Sequence, residues 1–167
     1  MSIKNEPWIE AFAEIGQLKA RYCRLLDTKQ WERLRGLFTE DCRFDGLGSA
    51  PSGCNVAEFI AGVSNRMAAA ISVHHVHSLE LALLDADHAR GVWAMEDYVD
   101  WPDGYDVAEA PGQSGFRGYG HYEEEYKKIG AEWRIAFLRL TRLRIDAVPL
   151  TESKPKMGRC RATPEWL

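Results

Sequence analysis

Residues 116–146 read "FRGYGHYEEEYKKIGAEWRIAFLRLTRLRID". Two long segments rich in aromatic and β-branched residues flank "GAE", which supplies turn chemistry, so the stretch reads as a pair of antiparallel strands. "SVHHVHSLELALL" (72–84) and "HARGVWAMEDYVDW" (88–101) have the same character, with "DAD" between them. The first half of the chain is different. "PWIEAFAEIGQLKARYCRLLD" opens on a proline suited to a first helical turn, and Trp8, Phe12, Ile15, Tyr22 and Leu26 recur at helical spacing. "KQWERLRGLF" follows as a second helix, with Asp27 or Thr28 as its cap and Gln30 placed as in a capping box. "TEDCRFDG" reads as a turn and a short strand. "NVAEFIAGVSNRMAAA" forms a third helix, with Val56, Phe59, Ile60, Val63 and Met67 on one side. Helices first and antiparallel strands afterwards give an α+β fold with the helices on one face of the sheet. A strongly curved, mainly antiparallel sheet closed by three N-terminal helices makes a cone-shaped α+β barrel with a pocket inside. The domain is expected over 1–146 and a C-terminal tail over 147–167.

Bulk properties narrow the function. The 167 residues suit one domain, and 46% hydrophobic with 28% charged residues is ordinary for a globular protein. A net charge of −4 argues against a nucleic-acid partner, which favours a basic stripe. No apolar run approaches the roughly 20 residues of a membrane span. "MSIKNEPWIE" has no apolar signal core, and Cys23, Cys42, Cys54 and Cys160 form no CxxC pair, so a reduced cytoplasmic protein is the simplest expectation. No zinc spacing, phosphate loop or GxGxxG fingerprint occurs, so no cofactor or metal is expected, and activity should survive chelators.

Three of the five histidines crowd into "VHHVHS". In a regular strand His75 and His77 share one face and His74 takes the other, so the three do not converge on one metal without a bulge.

The order and spacing of these segments resemble the SnoaL-like family of the nuclear transport factor 2-like superfamily over roughly residues 8–146. Within it the pattern is closest to bile acid 7α-dehydratase. That resemblance implies a site of tyrosine, aspartate, histidine and arginine. Tyr22 and Asp27 match its Y-x-x-x-x-D in "YCRLLD", and His74 begins its H-x-x-H with His77 second. Arg142 matches the last-strand arginine, with Arg139 and Arg144 as competing registers. Scytalone dehydratase and hexachlorocyclohexane dehydrochlorinase are similar at a greater distance and share the Asp27 and His74 positions. Where scytalone dehydratase uses a serine and an asparagine, this chain has Gly120 and Tyr122 near those places, so that substrate is not expected. The family also implies a homo-oligomer, with a trimer favoured.

These residue types suit an elimination. A neutral histidine takes a carbon-bound proton, and a carboxylate on its other nitrogen fixes the tautomer and stabilises the imidazolium. A tyrosine hydroxyl stabilises a developing oxyanion, and an arginine orients a polar group. Each also has a plainer reading: Asp27 as a helix cap, Tyr22 as core, His74 as a hydrogen-bonded strand residue, Arg142 as part of a solvated face. His77, Tyr98, Trp101, His121 and Tyr122 are candidates to bind substrate. The loop "DGYDVAEAPGQSG" is a lid or a plain connection. The expected function is a cofactor-independent lyase, a dehydratase acting on a small hydrophobic cyclic substrate with a carbonyl, steroid- or polyketide-like. The alternatives are an isomerase or cyclase on the same scaffold, or a non-catalytic small-molecule-binding protein.

Overall fold

A computed structural model describes residues 6–101 and 106–150. The elements are α1 (Glu6–Asp27), α2 (Trp31–Arg35), β1 (Phe38–Asp45), α3 (Val56–Met67), β2 (Ile71–Leu83), β3 (His88–Asp100), β4 (Gly115–Ile129) and β5 (Glu132–Val148). The five strands form one sheet in the order β1-β5-β4-β3-β2, antiparallel except for the parallel β1–β5 pair. The sheet is mixed and open, and with the helices packed on it the fold is of the expected α+β class. Strand β5 runs two residues beyond the expected domain end, and most of the expected tail lies outside the described residues.

α1 presents Ile15, Leu18, Tyr22, Leu25 and Leu26 to the sheet. Burying each such aliphatic side chain contributes about 1.5–3 kcal/mol. The stripe starts later than its period suggests. Trp8 and Phe12 are exposed, and their rings pack tilted against one another with centres 5.0 Å apart. The second helix is also shorter than expected: Phe38 already belongs to β1, where its ring meets Phe44 at 4.9 Å and Phe59 of α3 at 5.6 Å. α3 is held at its start by a reciprocal cap between Asn55 and Glu58, a motif worth roughly 1 kcal/mol. Gly46 ends β1 at φ 69°, and a Cβ there would lie 2.2 Å from the Leu140 carbonyl oxygen.

β4 has 15 residues and β5 has 17. The pairs Glu125↔Phe137 then Tyr126↔Ile135, and Tyr119↔Arg144 then Gly120↔Arg142, leave Ala136 and Leu143 unopposed. These are two bulges, and each reverses which residues of β5 face inward. Trp133 and Ile135 are buried before the first, and Leu138 and Leu140 between the two.

Candidate active site

The inner sheet face, α1 and α3 line a small, partly open cavity of about 50 Å³. Tyr22, Phe59, Phe116 and Tyr122 give it aromatic walls, and His74, Asp97 and Arg142 bring polar atoms to one side.

Asp27 is the last residue of α1 and points across to β2. Its Oδ2 accepts from the His74 backbone N–H at 2.8 Å, and its Oδ1 lies 2.6 Å from His74 Nδ1 and 2.9 Å from the Ser72 hydroxyl. The Ser72 oxygen in turn accepts from Lys29 Nζ at 2.8 Å, and burial holds the Lys29 ammonium below its usual pKa, with Asp27 opposing that shift. Asp27 does not cap α2, whose N-cap is Gln30 with no side-chain bond. With Nδ1–H given to the carboxylate, the lone pair of His74 lies on Nε2, and His74 lines the cavity.

His74 pairs with Asp97 on β3, and Asp97 pairs with Gly118 on β4, so the three form one row across the sheet. Asp97 Oδ2 is 3.9 Å from His74 Nε2, beyond hydrogen-bond range. The carboxylate instead takes two bonds from Arg142, Nη1 at 2.6 Å and Nη2 at 2.7 Å. Gly118 makes room for that pair: a Cβ there would sit 1.7 Å from Arg142 Nη1 and 2.3 Å from Asp97 Oδ1. Burial alone lowers the Arg142 pKa, but the bonds to Asp97 outweigh it and raise the value overall. The Leu143 bulge settles the competing registers, because Arg144 beyond it is exposed and pairs with Asp146. Arg139 lies on the outer face and pairs with Asp45 and Glu123.

Tyr22 and Tyr122 meet edge to face at 6.0 Å. Burial pushes the Tyr22 phenol well above its ordinary pKa, Cys23 and Glu124 add to the rise, and a hydrogen bond with Tyr122 opposes it. Burial does the same to Tyr122. Both hydroxyls therefore stay protonated, as donors, at every working pH.

Five of the nine residues singled out from the sequence thus gather here: Tyr22, Asp27, His74, Tyr122 and Arg142. The other four are placed elsewhere. β2 stays regular through His77 and becomes irregular only between His77 and Glu80, so His77 keeps the outward face, exposed beside His75 and 3.5 Å from Glu96. Tyr98 and His121 fall on the outward parity of β3 and β4, and Tyr98 borders a shallow depression outside the cone with Arg117. Trp101 is buried behind the cavity wall, donating from Nε1 to the Arg66 carbonyl at 2.9 Å and packing on Phe116. The residue that sequence reasoning missed is Asp97. Its signal was parity: Trp93, Met95, Asp97 and Val99 alternate on the buried face, and one of them is a carboxylate. Among the described residues no group of three His, Cys, Asp or Glu side chains has a metal-holding arrangement, and no helix is long and apolar enough to cross a membrane.

A family model for the SnoaL-like domain matches residues 8–139. The chain belongs to the SnoaL-like family. A Gibberella zeae protein named as a probable cyclase is 27% identical over 148 residues, covering 80% of this SnoaL-like chain and 92% of the relative. Among solved structures, a provisionally named scytalone dehydratase from Novosphingobium aromaticivorans superposes with a TM-score of 0.73 at 14% identity, covering 90% of this chain and 99% of that one. The type 3 hexachlorocyclohexane dehydrochlorinase of Novosphingobium barchaimii gives 0.70 at 15% identity, covering 92% and 100%. At such identities the two structures establish likeness of fold. The names among these relatives are those of enzymes.

Proposed function

We propose that this SnoaL-like domain is a cofactor-independent lyase, a dehydratase that removes water from a small hydrophobic cyclic β-hydroxy ketone of steroid- or polyketide-like shape. The observation that carries the reading is the 2.6 Å contact between His74 Nδ1 and Asp27, which leaves Nε2 as the acceptor on the cavity side. In this reading Nε2 takes the proton from the carbon next to the carbonyl. The electron pair moves onto the carbonyl oxygen, where the Tyr22 hydroxyl and the Arg142 guanidinium stabilise it. Asp27 balances the imidazolium. The enolate then collapses to the conjugated alkene, and the leaving hydroxide takes the proton from the imidazolium to depart as water. Histidine and tyrosine end as they began, so the cycle needs no redox partner. Two relatives named for eliminations support the chemistry.

Asp27→Asn tests it. The amide keeps the shape of the carboxylate but does not stabilise the imidazolium. Turnover of a panel of cyclic β-hydroxy ketones, read by absorbance of the new alkene, should fall by about 10²-fold, inside the range for acid–base machinery. A panel member that wild type dehydrates and Asp27→Asn dehydrates at full rate would remove Asp27 from the mechanism. The relative named as a cyclase favours a second reading, in which the same enolate closes a ring or reprotonates elsewhere. Deuterium exchange at the carbon next to the carbonyl, without new alkene absorbance, would select that reading. Ligand binding with neither signal would leave a binding protein.

A further inference from the structure

Beneath the cavity lies an ion pair that the elimination chemistry does not use. Lys19 of α1 and Glu124 of β4 have fully buried side chains and are bonded to each other. Glu124 also accepts from the Tyr126 hydroxyl, which itself accepts from Trp93 Nε1 at 2.8 Å. The Lys19 ammonium stands 3.6 Å from the centre of the Tyr122 ring and 4.1 Å from that of Tyr22. Both rings line the cavity.

Stability does not account for this arrangement. Taking two charges out of water costs about as much as their attraction returns, and apolar replacements of similar volume are often neutral or stabilising. What the pair touches is more informative. A cation on an aromatic face is attracted by the ring and draws density from it, which makes a phenol a stronger donor and fixes the ring's tilt. Here one ammonium serves two phenols at the floor of the cavity.

We infer that Lys19, anchored by Glu124, is a positioning residue that sets the orientation and donor strength of Tyr22 through the Tyr22–Tyr122 pair. The inference rests on the proposed role of Tyr22 as the oxyanion donor. Lys19 itself does not border the cavity.

The experiment is a cycle between Lys19→Met/Glu124→Gln and Tyr22→Phe. The paired substitution removes both charges together and leaves Tyr126 an acceptor. With 3-hydroxy-1-tetralone, which loses water and tautomerises to fluorescent 1-naphthol, the paired variant should lose about tenfold in kcat with KM nearly unchanged, the loss expected when a donor is weakened rather than removed. In the Tyr22→Phe background the same pair of changes should cost less than about twofold, because its target hydroxyl is gone. An unchanged kcat, or an equal loss in both backgrounds, overturns the inference. A second measurement needs no variant and no turnover. In ¹⁵N-lysine-labelled wild type, the Lys19 Nζ signal should be displaced by the two ring faces and should move when 1-tetralone fills the cavity. A signal that stays still while tryptophan fluorescence reports the ketone bound also overturns it. If the signal moves but no β-hydroxy ketone is dehydrated, the elimination reading falls and the coupling of Lys19 to the cavity stands.

Discussion

The two ends of the His74 ring each face a carboxylate, and the two carboxylates are held by different kinds of partner. Asp27 sits at the C-terminal end of a 22-residue helix, where the helix dipole disfavours a negative charge. Its direct donors are an amide, a hydroxyl and an imidazole. None of these is a permanent cation. Asp97 sits mid-strand on a sheet and is clasped by a permanent one. Asp27, which the Lys29 ammonium reaches only through Ser72, therefore gains a cation in direct contact when His74 gains a proton, whereas Asp97 has one at all times. The first end is arranged to let a proton arrive and leave. The second is arranged to hold a guanidinium still.

Three substitutions break or sharpen that contrast. The largest effect belongs to His74→Ala, which should lower turnover by about 10²–10⁴-fold. Its thermal midpoint should stay near that of wild type, because Asp27 keeps its bonds to the residue-74 amide and to Ser72. A fall in midpoint as large as the fall in rate would mean that this end is built for stability after all. Asp97→Asn should show the reverse balance. It leaves Arg142, only 23% exposed, without its counter-charge, and loses about 2 kcal/mol by urea denaturation, below the range for fully buried pairs. Turnover should drop only about tenfold. If Asp97→Asn instead matches His74→Ala in rate at full stability, Asp97 belongs with the proton-transfer group. The smallest effect is that of Gly118→Ala. The added methyl displaces the far end of the arginine rather than backbone, so the cost should be about 1 kcal/mol, with kcat lowered several-fold as the oxyanion donor shifts and KM little changed. A crystal structure of that variant with the Asp97–Arg142 bonds intact would refute the fit.

Most of the fold was legible because each element announced itself by period and turn residues. The boundaries of β2 to β5 lie within one or two residues of those read from the sequence. The grouping of the candidate site was legible where its members lie close in sequence on one helix, as with Tyr22 and Asp27. It was less so where the answer depended on strand parity. His77, Tyr98 and His121 are plausible by residue type and lie on the wrong face. Asp97 and Glu124 are the converse, since a carboxylate among acidic neighbours reads as surface. "EEE" at 123–125 suggests a polar edge, yet its middle residue is buried with Lys19. A charge that falls on the apolar parity of a strand, or on the apolar stripe of a helix as Lys19 does, was the usable signal. No period rule could find Arg142, because the two bulges in β5 change the phase twice within the strand.

Those bulges also govern shape. β5 carries two more residues than the strand it lies beside, so its path is longer than that of β4. A ribbon with one long edge cannot lie flat, and the added contour bends the sheet around the space it encloses. Ala136 and Leu143 are thus the surplus length that gives the cone its girth, and neither side chain borders the cavity. Deleting both would keep each remaining residue opposite its present partner while shortening the arc. The chain so trimmed would have the same inward-facing chemistry in a narrower vessel, which makes strand length, rather than any lining residue, the first dial for the girth of substrate admitted.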